Sequence, residues 1–387
     1  MTIANDTTAR ALYNRIERDA TVGASPGREP MAFHQRLTGY APTPLVDAPE
    51  LAERLGVGAV LVKDESSRIG LPAFKILGAS WAVYRALEQR VGGFQDWDTL
   101  DDLAAQLEPL RPLTLAAATD GNHGRAVARM ARLLGFASRI YVPDDMVQPR
   151  RDAIASEGAE VVVVHGTYDD AIAQSAREAD ERSMVISDTS WPGYEDVPRW
   201  VIDGYSTILR EVDDELAARG EAPPDLVAVQ IGVGALASAV VTHYRQPGRP
   251  RPAILGVEPS HAACTLASME AGEVVTIAGP HDSIMAGLNC GEPSMLAWPL
   301  VSSGIDAFVA VDDEWAREGM RALARHGVVA GETGAAGLAG LLGLFGGPER
   351  ERSREHLGVN DSSRVLIFVT EGATDPEAYA RIVGSAP

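Results

Sequence analysis

Cysteine is scarce. Only Cys264 and Cys290 occur in 387 residues, too few for a disulfide scaffold or a cysteine-built zinc site. Long apolar runs are missing as well, and no stretch approaches the roughly 18–20 residues of a membrane span, so no membrane partner is expected. Positive charge is in deficit, with 34 Lys and Arg against 54 Asp and Glu and a net charge of −20. That balance excludes sequence-independent nucleic-acid binding, which displaces counterions with a surplus of Lys and Arg, and docking on anionic lipid. Met1-Thr-Ile-Ala-Asn-Asp6 has neither a basic start nor an apolar stretch, so no secretory signal is expected and the cytoplasm is the default location. Aromatics make up only 6%, but hydrophobic residues reach 45% and charged residues 23%, enough to bury sizeable cores. The length suggests about two domains, and an enzyme is the default class.

The order of elements narrows the fold. Thr8 to Asp19 is expected to be helical and Gly23 to Pro30 a loop. Tyr40-Ala-Pro-Thr-Pro-Leu45 is held extended by its prolines. Asp47 to Leu55 is expected to be a helix with Asp47 as N-cap, followed by a strand at 59–63 and a helix at 74–91. From 113 to 187, short apolar runs alternate with helical spacing: strands at 113–118, 138–142, 161–164 and 184–187, with helices at 124–134, 148–157 and 168–180 between them. A second series places strands at 226–231, 253–257, 308–311 and 365–369, and helices from about 235, at 314–326 and at 333–344. Alternation of this kind predicts right-handed crossovers and parallel sheets. The Gly- and Ser-rich, charged stretch 346–363 reads as a surface loop.

Candidate chemistry falls at strand-to-helix turns, where open parallel sheets bind ligands. Lys75 opens a helix between Phe74 and Ile76 without an acidic neighbour in sequence. It reads either as a snorkelling surface lysine or as a desolvated amine able to act as nucleophile or base. Thr119-Asp-Gly-Asn-His-Gly124 links a strand to a helix and offers free N–H groups to an anion, or an ordinary cap at Asp120 and a satisfied polar residue at His123. Gly232-Val-Gly-Ala-Leu236 has two spaced glycines that suit a phosphate cradle. With Ala237 and Glu258 it also matches the loose dinucleotide fingerprint, which leaves a nicotinamide dehydrogenase open on this loop alone. Thr370-Glu-Gly-Ala-Thr-Asp375 follows the last strand.

In that order the segments resemble the fold-type II family of pyridoxal-phosphate enzymes, over residues 40–376. Lys63-Asp-Glu-Ser66, Ala73-Phe-Lys75, Ser283-Ile-Met-Ala-Gly-Leu288 and Cys290-Gly-Glu-Pro293 narrow the resemblance to the diaminopropionate ammonia-lyases. The resemblance implies a fold like the tryptophan synthase β subunit: α/β, with two open, mostly parallel sheets, helices on both faces and the cofactor in the interdomain cleft. It implies a large domain from 1–75 with 201–387, a small domain from 76–200, and a homodimer. Lys75 would carry pyridoxal 5'-phosphate as a Schiff base and Asn122 would meet its phenolic oxygen. Gly232, Val233, Gly234, Ala235 and Leu236 would hold the phosphate, and Thr370 would face the ring nitrogen. No metal is implied.

Asp120 departs from the wider family, where a small hydroxyl residue is common. A carboxylate there repels a substrate carboxylate and attracts an ammonium group. Asp188 matches a second acidic position of the lyases and otherwise reads as a turn carboxylate. With Lys75, the two are the expected catalytic set for eliminating ammonia from the small amino acid 2,3-diaminopropionate, giving pyruvate. Loss of water from serine, threonine or hydroxyaspartate, and β-replacement, are the alternatives on the same scaffold. Cys264 and Cys290 fall near the expected site, where a disulfide would brace a loop; free thiols are the other reading.

Overall fold

The computed structural model describes residues 9–14, 23–119, 121–166 and 168–387, and of Asp169 the backbone alone. The strands are β1 (Ala9–Tyr13), β2 (Leu45–Asp47), β3 (Ala59–Asp64), β4 (Thr114–Ala118), β5 (Ala137–Pro143), β6 (Glu160–Val164), β7 (Ser183–Val185), β8 (Leu226–Gln230), β9 (Ala253–Pro259), β10 (Ala307–Val311) and β11 (Arg364–Val369). The chain packs into two compact units. The first joins the described residues up to Ser25 with 42–67 and 208–387, and the second joins 26–41 with 68–207. The sequence reading placed its boundaries after 75 and 200; the units change over after 25, 41, 67 and 207.

The first unit is built on a seven-stranded sheet in the order β1-β10-β9-β8-β11-β3-β2. Its five inner strands run parallel, and β1 and β2 are antiparallel edges. β8, with sequence LVAVQ, is buried at every position, as expected of a central parallel strand covered on both faces. Helix Ala336–Gly346 packs against β8 to β11 and is buried through Phe345. Gly340 permits this approach, since a Cβ there would meet Val257 Cγ2 at 2.4 Å. The second unit has a four-stranded parallel sheet, β6-β5-β4-β7, with Ala116, Ala118, Tyr141, Val164, Ala171 and Val185 in its core. Fully burying side chains of the Val, Leu or Phe class contributes about 1.5–3 kcal/mol each, which explains why these runs were visible as strands.

Four expectations are corrected. Residues 9–13 form an edge strand on β10 rather than a helix; the rest of that expected helix, Thr8 and 15–19, lies outside the described residues. Asp47 ends β2 and caps nothing, because Ala48 is the N-cap of helix Pro49–Leu55. Glu29 and Pro30, read as loop, begin helix Glu29–His34. The expected loop 346–363 contains helix Arg350–Leu357, which docks through Arg354 to the carbonyls of Leu55 (3.0 Å) and Gly56 (2.9 Å). Helix Asp196–Arg219, not anticipated above, contributes 24 residues. Among the described residues, no helix is long and apolar enough to cross a membrane.

Candidate active site

In the second unit the chain arrives at Lys75 through a tight turn. Arg68 and Leu71 exchange backbone hydrogen bonds of 2.8 and 3.0 Å, and between them Ile69 sits at φ 52°. A β-branched residue in left-handed backbone stores on the order of 1–3 kcal/mol. Lys75 then opens helix Lys75–Val91. Its Nζ donates to Asp188 Oδ2 at 2.6 Å; the lysine side chain is 22% exposed and the aspartate 5%. The ring of Phe74, beside it, packs on Tyr205 with centroids 4.6 Å apart.

Asp188 stands just past β7, where the Ile186 N–H still bonds the Ala116 carbonyl at 2.7 Å. Tyr168, first residue of the helix after β6, donates its hydroxyl to Asp188 Oδ1 at 3.2 Å. Burial alone would raise the Asp188 pKa. The Lys75 ammonium and the hydrogen bonds from Lys75 and Tyr168 overcome it, joined by His123 where acid protonates that ring, and hold the carboxyl well below its ordinary range. His123 Nε2 lies 2.8 Å from the Ile186 carbonyl, which only accepts, so Nε2 carries the proton. Its Nδ1 lies 4.0 Å from Asp188 Oδ2 and has no hydrogen-bond partner among the described residues. Burial pulls the His123 pKa down against the opposing field of Asp188. The ring is therefore neutral near pH 7, with the Nδ1 lone pair toward the Asp188 carboxylate.

Asn122 is the first residue of helix Asn122–Leu134. The turn before it is closed by Thr119 Oγ1, which accepts from Gly121 (2.9 Å) and Gly124 (3.0 Å). Gly124 is required, since a Cβ there would meet Thr119 Cγ2 at 2.4 Å. Asp120 lies outside the described residues.

In the first unit, β8 runs into 231–234 and then helix Ala235–Tyr244. Gly234, at φ 101°, is its N-cap and supplies no side-chain cap. Among the described residues, the N–H groups of Gly232, Val233, Gly234, Ala235 and Leu236 have no acceptor. Five such donors at a helix start suit a phosphate, and the amine of Lys75, in the second unit, suits an aldehyde. Two of the segments singled out in the sequence cover the turn: a Cβ on Gly232 would meet the Gly287 carbonyl at 3.1 Å and Cys290 Sγ at 3.4 Å. Cys264 and Cys290 are both buried thiols, so the disulfide is not formed. Thr370, 2% exposed, follows β11, and its Oγ1 accepts from Gln230 Nε2 at 2.8 Å. Glu258 accepts from the N–H groups of Thr265 (2.7 Å) and Leu266 (2.8 Å) and is fully buried. It is therefore spent on a helix start and not available to a ribose, which removes the support for a nicotinamide site. Among the described residues, no cluster of His, Cys, Asp or Glu could hold a metal.

Sequence reasoning missed Tyr168, Tyr205 and Gln230 and left His123 as a bland alternative. For Tyr168 the usable signal was its position, first on a helix after a parallel strand. For Gln230 it was a lone amide ending an otherwise apolar strand.

Comparison with known proteins agrees with this chemistry. The family model described as pyridoxal-phosphate dependent enzyme matches residues 36–371. The diaminopropionate ammonia-lyase of Escherichia coli strain K12 is 37% identical over 358 residues, covering 91% of this chain and 89% of that protein. The enzyme of the same description from Salmonella typhimurium strain LT2 is 35% identical, covering 97% and 96%. A crystal structure of the Escherichia coli enzyme in complex with D-serine superposes with a TM-score of 0.89 at 33% identity, covering 97% of each chain. With an amine, a paired carboxylate and a phosphate-ready turn on the same chain, and relatives this similar over nearly its full length, the protein belongs to the pyridoxal-phosphate-dependent enzyme family, within its diaminopropionate ammonia-lyase branch.

Proposed function

We propose that this chain eliminates ammonia from 2,3-diaminopropionate, consuming one water and yielding pyruvate and a second ammonia. The observation that carries the reading is the Lys75–Asp188 pair, a lysine at a helix start held by a buried carboxylate whose low pKa keeps it charged. Pyridoxal phosphate, when bound, supplies an aldehyde that takes up amino groups and a ring that draws electrons from Cα. The other roles are the chain's. The N–H groups of Gly232, Val233, Gly234, Ala235 and Leu236 hold the phosphate, Asn122 meets the phenolic oxygen and Thr370 the ring nitrogen. Lys75 supplies the amine and exchanges protons at Cα.

Asp188 has a further part. While Lys75 is an ammonium, Asp188 has a cation at 2.6 Å. Were the Lys75 ammonium to give up its proton and act as a base, the carboxylate would keep the Tyr168 hydroxyl but lose that cation. A buried carboxylate in this position attracts a replacement positive charge, and the second ammonium of a diamino acid provides one where serine or threonine cannot. Asp120 is proposed as the second acidic residue, acting on the same ammonium or on the Cα proton. The protein is further proposed to act as a homodimer in the cytoplasm, which light scattering and cell fractionation test.

The test is a substrate panel on purified, cofactor-loaded protein: both enantiomers of diaminopropionate, serine and threonine, with pyruvate and ammonia measured together. The expected result is turnover of the diamine with twice as much ammonia as pyruvate. Hydride trapping followed by mass spectrometry places the adduct on the peptide containing Lys75. Turnover of serine but not the diamine would make the chain a dehydratase, and a new amino acid in place of pyruvate would make it a β-replacement enzyme.

A further inference from the structure

Gln230 ends β8 with a buried side chain, 3% exposed. Its Nε2 lies 3.2 Å from the Thr333 carbonyl, 3.1 Å from the Phe368 carbonyl and 2.8 Å from Thr370 Oγ1. Two of these three neighbours are backbone carbonyls, which only accept, so the atom they surround is the NH₂ group and not the amide oxygen. The amide oxygen faces the other way. A Cβ on Gly337, in the first turn of helix Ala336–Gly346, would sit 3.3 Å from it. That is the positive end of a helix, where a carbonyl oxygen is favoured. The three neighbours of the nitrogen thus fix the amide, whose oxygen makes no hydrogen bond among the described residues.

A consequence follows for Thr370. An amide nitrogen has no lone pair to offer, so the Thr370 hydroxyl cannot donate to Gln230 and can only accept from it. The hydroxyl hydrogen must point elsewhere, and among the described residues it has no acceptor. A buried donor without an acceptor is costly, and a ring nitrogen carrying a free lone pair would satisfy it. A protonated ring nitrogen would leave the hydrogen stranded.

We infer that Gln230 is a positioning residue that commits the Thr370 hydroxyl to donate, and thereby keeps the ring nitrogen of the bound cofactor unprotonated. This rests on the proposed meeting of Thr370 with that nitrogen. Its effect is on the electron demand of the ring. An unprotonated ring withdraws less charge from Cα, which favours expulsion of a β-substituent over protonation elsewhere on the conjugated system.

The experiment loads the holoenzyme with cofactor labelled with ¹⁵N in the ring and follows its ¹⁵N shift against pH in wild type, Gln230→Glu, Gln230→Met and Thr370→Val. Wild type is expected at the unprotonated value throughout the pH range in which it stays folded. Gln230→Glu places an acceptor under the hydroxyl, ionised or not, so the hydrogen turns inward and the oxygen can accept from a ring N–H. Its ring nitrogen is expected to bind a proton at least tenfold more tightly than wild type. Gln230→Met frees the Phe368 and Thr333 carbonyls as acceptors and is expected to move the same way, by at least threefold; it stands in should the glutamate variant not fold. If Thr370→Val moves the shift but neither Gln230 variant does, the role of Gln230 is wrong. If Thr370→Val also leaves the shift unchanged, the contact between Thr370 and the ring nitrogen is itself wrong, and the inference falls with it.

Discussion

At the scale of single residues, the proposed chemistry depends on which protons are held where. Asp188 is ionised because Lys75 and Tyr168 outweigh its burial, and His123 is neutral because burial wins. Asp188→Asn keeps the size and removes the charge. Lys75 then loses its anionic partner, and a substrate ammonium loses its acceptor. The expected result is a fall in kcat/KM on diaminopropionate of roughly 100-fold or more, the scale of a lost acid–base group. Tyr168→Phe removes one hydrogen bond to Asp188 and leaves the charge, so its loss should be much smaller. Steady-state kinetics on both variants at saturating cofactor checks the ranking, and equal losses would assign Asp188 a merely structural part. The pH dependence of stability has a definite sign here. Both groups have folded pKa values below their unfolded ones, so their contributions are present above about pH 4 for Asp188 and about pH 6.5 for His123. Both are lost on acidification, as pH falls through the lowered folded values.

At the scale of elements, β3 is tied to helix Asp196–Arg219 by an ion pair removed from water. Lys63 Nζ meets Glu211 Oε2 at 2.6 Å, with side chains 2% and 1% exposed, and also donates to the Thr43 carbonyl at 2.7 Å. Breaking such a pair from one side leaves a buried charge uncompensated, at a cost of about 3–5 kcal/mol, whereas replacing both partners with apolar residues is often near neutral. Lys63→Met is therefore expected to be severely destabilised in denaturant unfolding, and Lys63→Met with Glu211→Leu largely restored; a double variant as unstable as the single one would refute this. The pair also shows what the sequence could and could not disclose. Lys63-Asp-Glu-Ser66 was legible as a motif, but the partner 148 positions away was not. Parallel strands such as β8 and β11 were legible because burial on both faces makes them continuous apolar runs. β1 was not, since the half-buried ARALY is a strand only through its pairing with β10, a tertiary preference that overrides local propensity. Helix Arg350–Leu357 was hidden for the opposite reason, having almost no apolar face and docking through arginine. Helix Asp196–Arg219 carried readable spacing at Val201, Tyr205, Ile208, Leu209, Val212 and Leu216, all buried. At the site, Lys75 and Asp188 were legible as residue types at turns, but their 2.6 Å approach joins the start of a helix to the end of β7, which no local pattern encodes.

At the scale of the whole molecule, the buried carboxylates do not share one pH dependence. Glu258 lies fully buried at the start of helix Cys264–Ala271, and burial pushes its pKa up to about 7 despite the N–H bonds from Thr265 and Leu266. An unfolded glutamate titrates near 4.3. Between these values the folded chain keeps a proton that the unfolded chain has released, so stability falls as pH rises through the window, by an amount on the order of 3 kcal/mol at most. This is the reverse of the trend set by Asp188 and His123, so the global profile mixes the two signs and does not isolate either. A difference measurement does. Glu258→Gln cannot ionise, and it turns one acceptor oxygen into an NH₂ group facing a backbone N–H, a loss of about 1–3 kcal/mol. At pH 5, where Glu258 is protonated in the fold, the variant is expected to be less stable than wild type. By pH 8 the wild type carries the buried charge and the variant does not, so the gap should narrow or invert. The contributions of Asp188 and His123 are common to both proteins and cancel. Guanidinium unfolding of the two proteins at pH 5, 6, 7 and 8 measures the gap directly. A gap constant across that range would mean that Glu258 is ionised throughout, held by the helix start more firmly than burial opposes it.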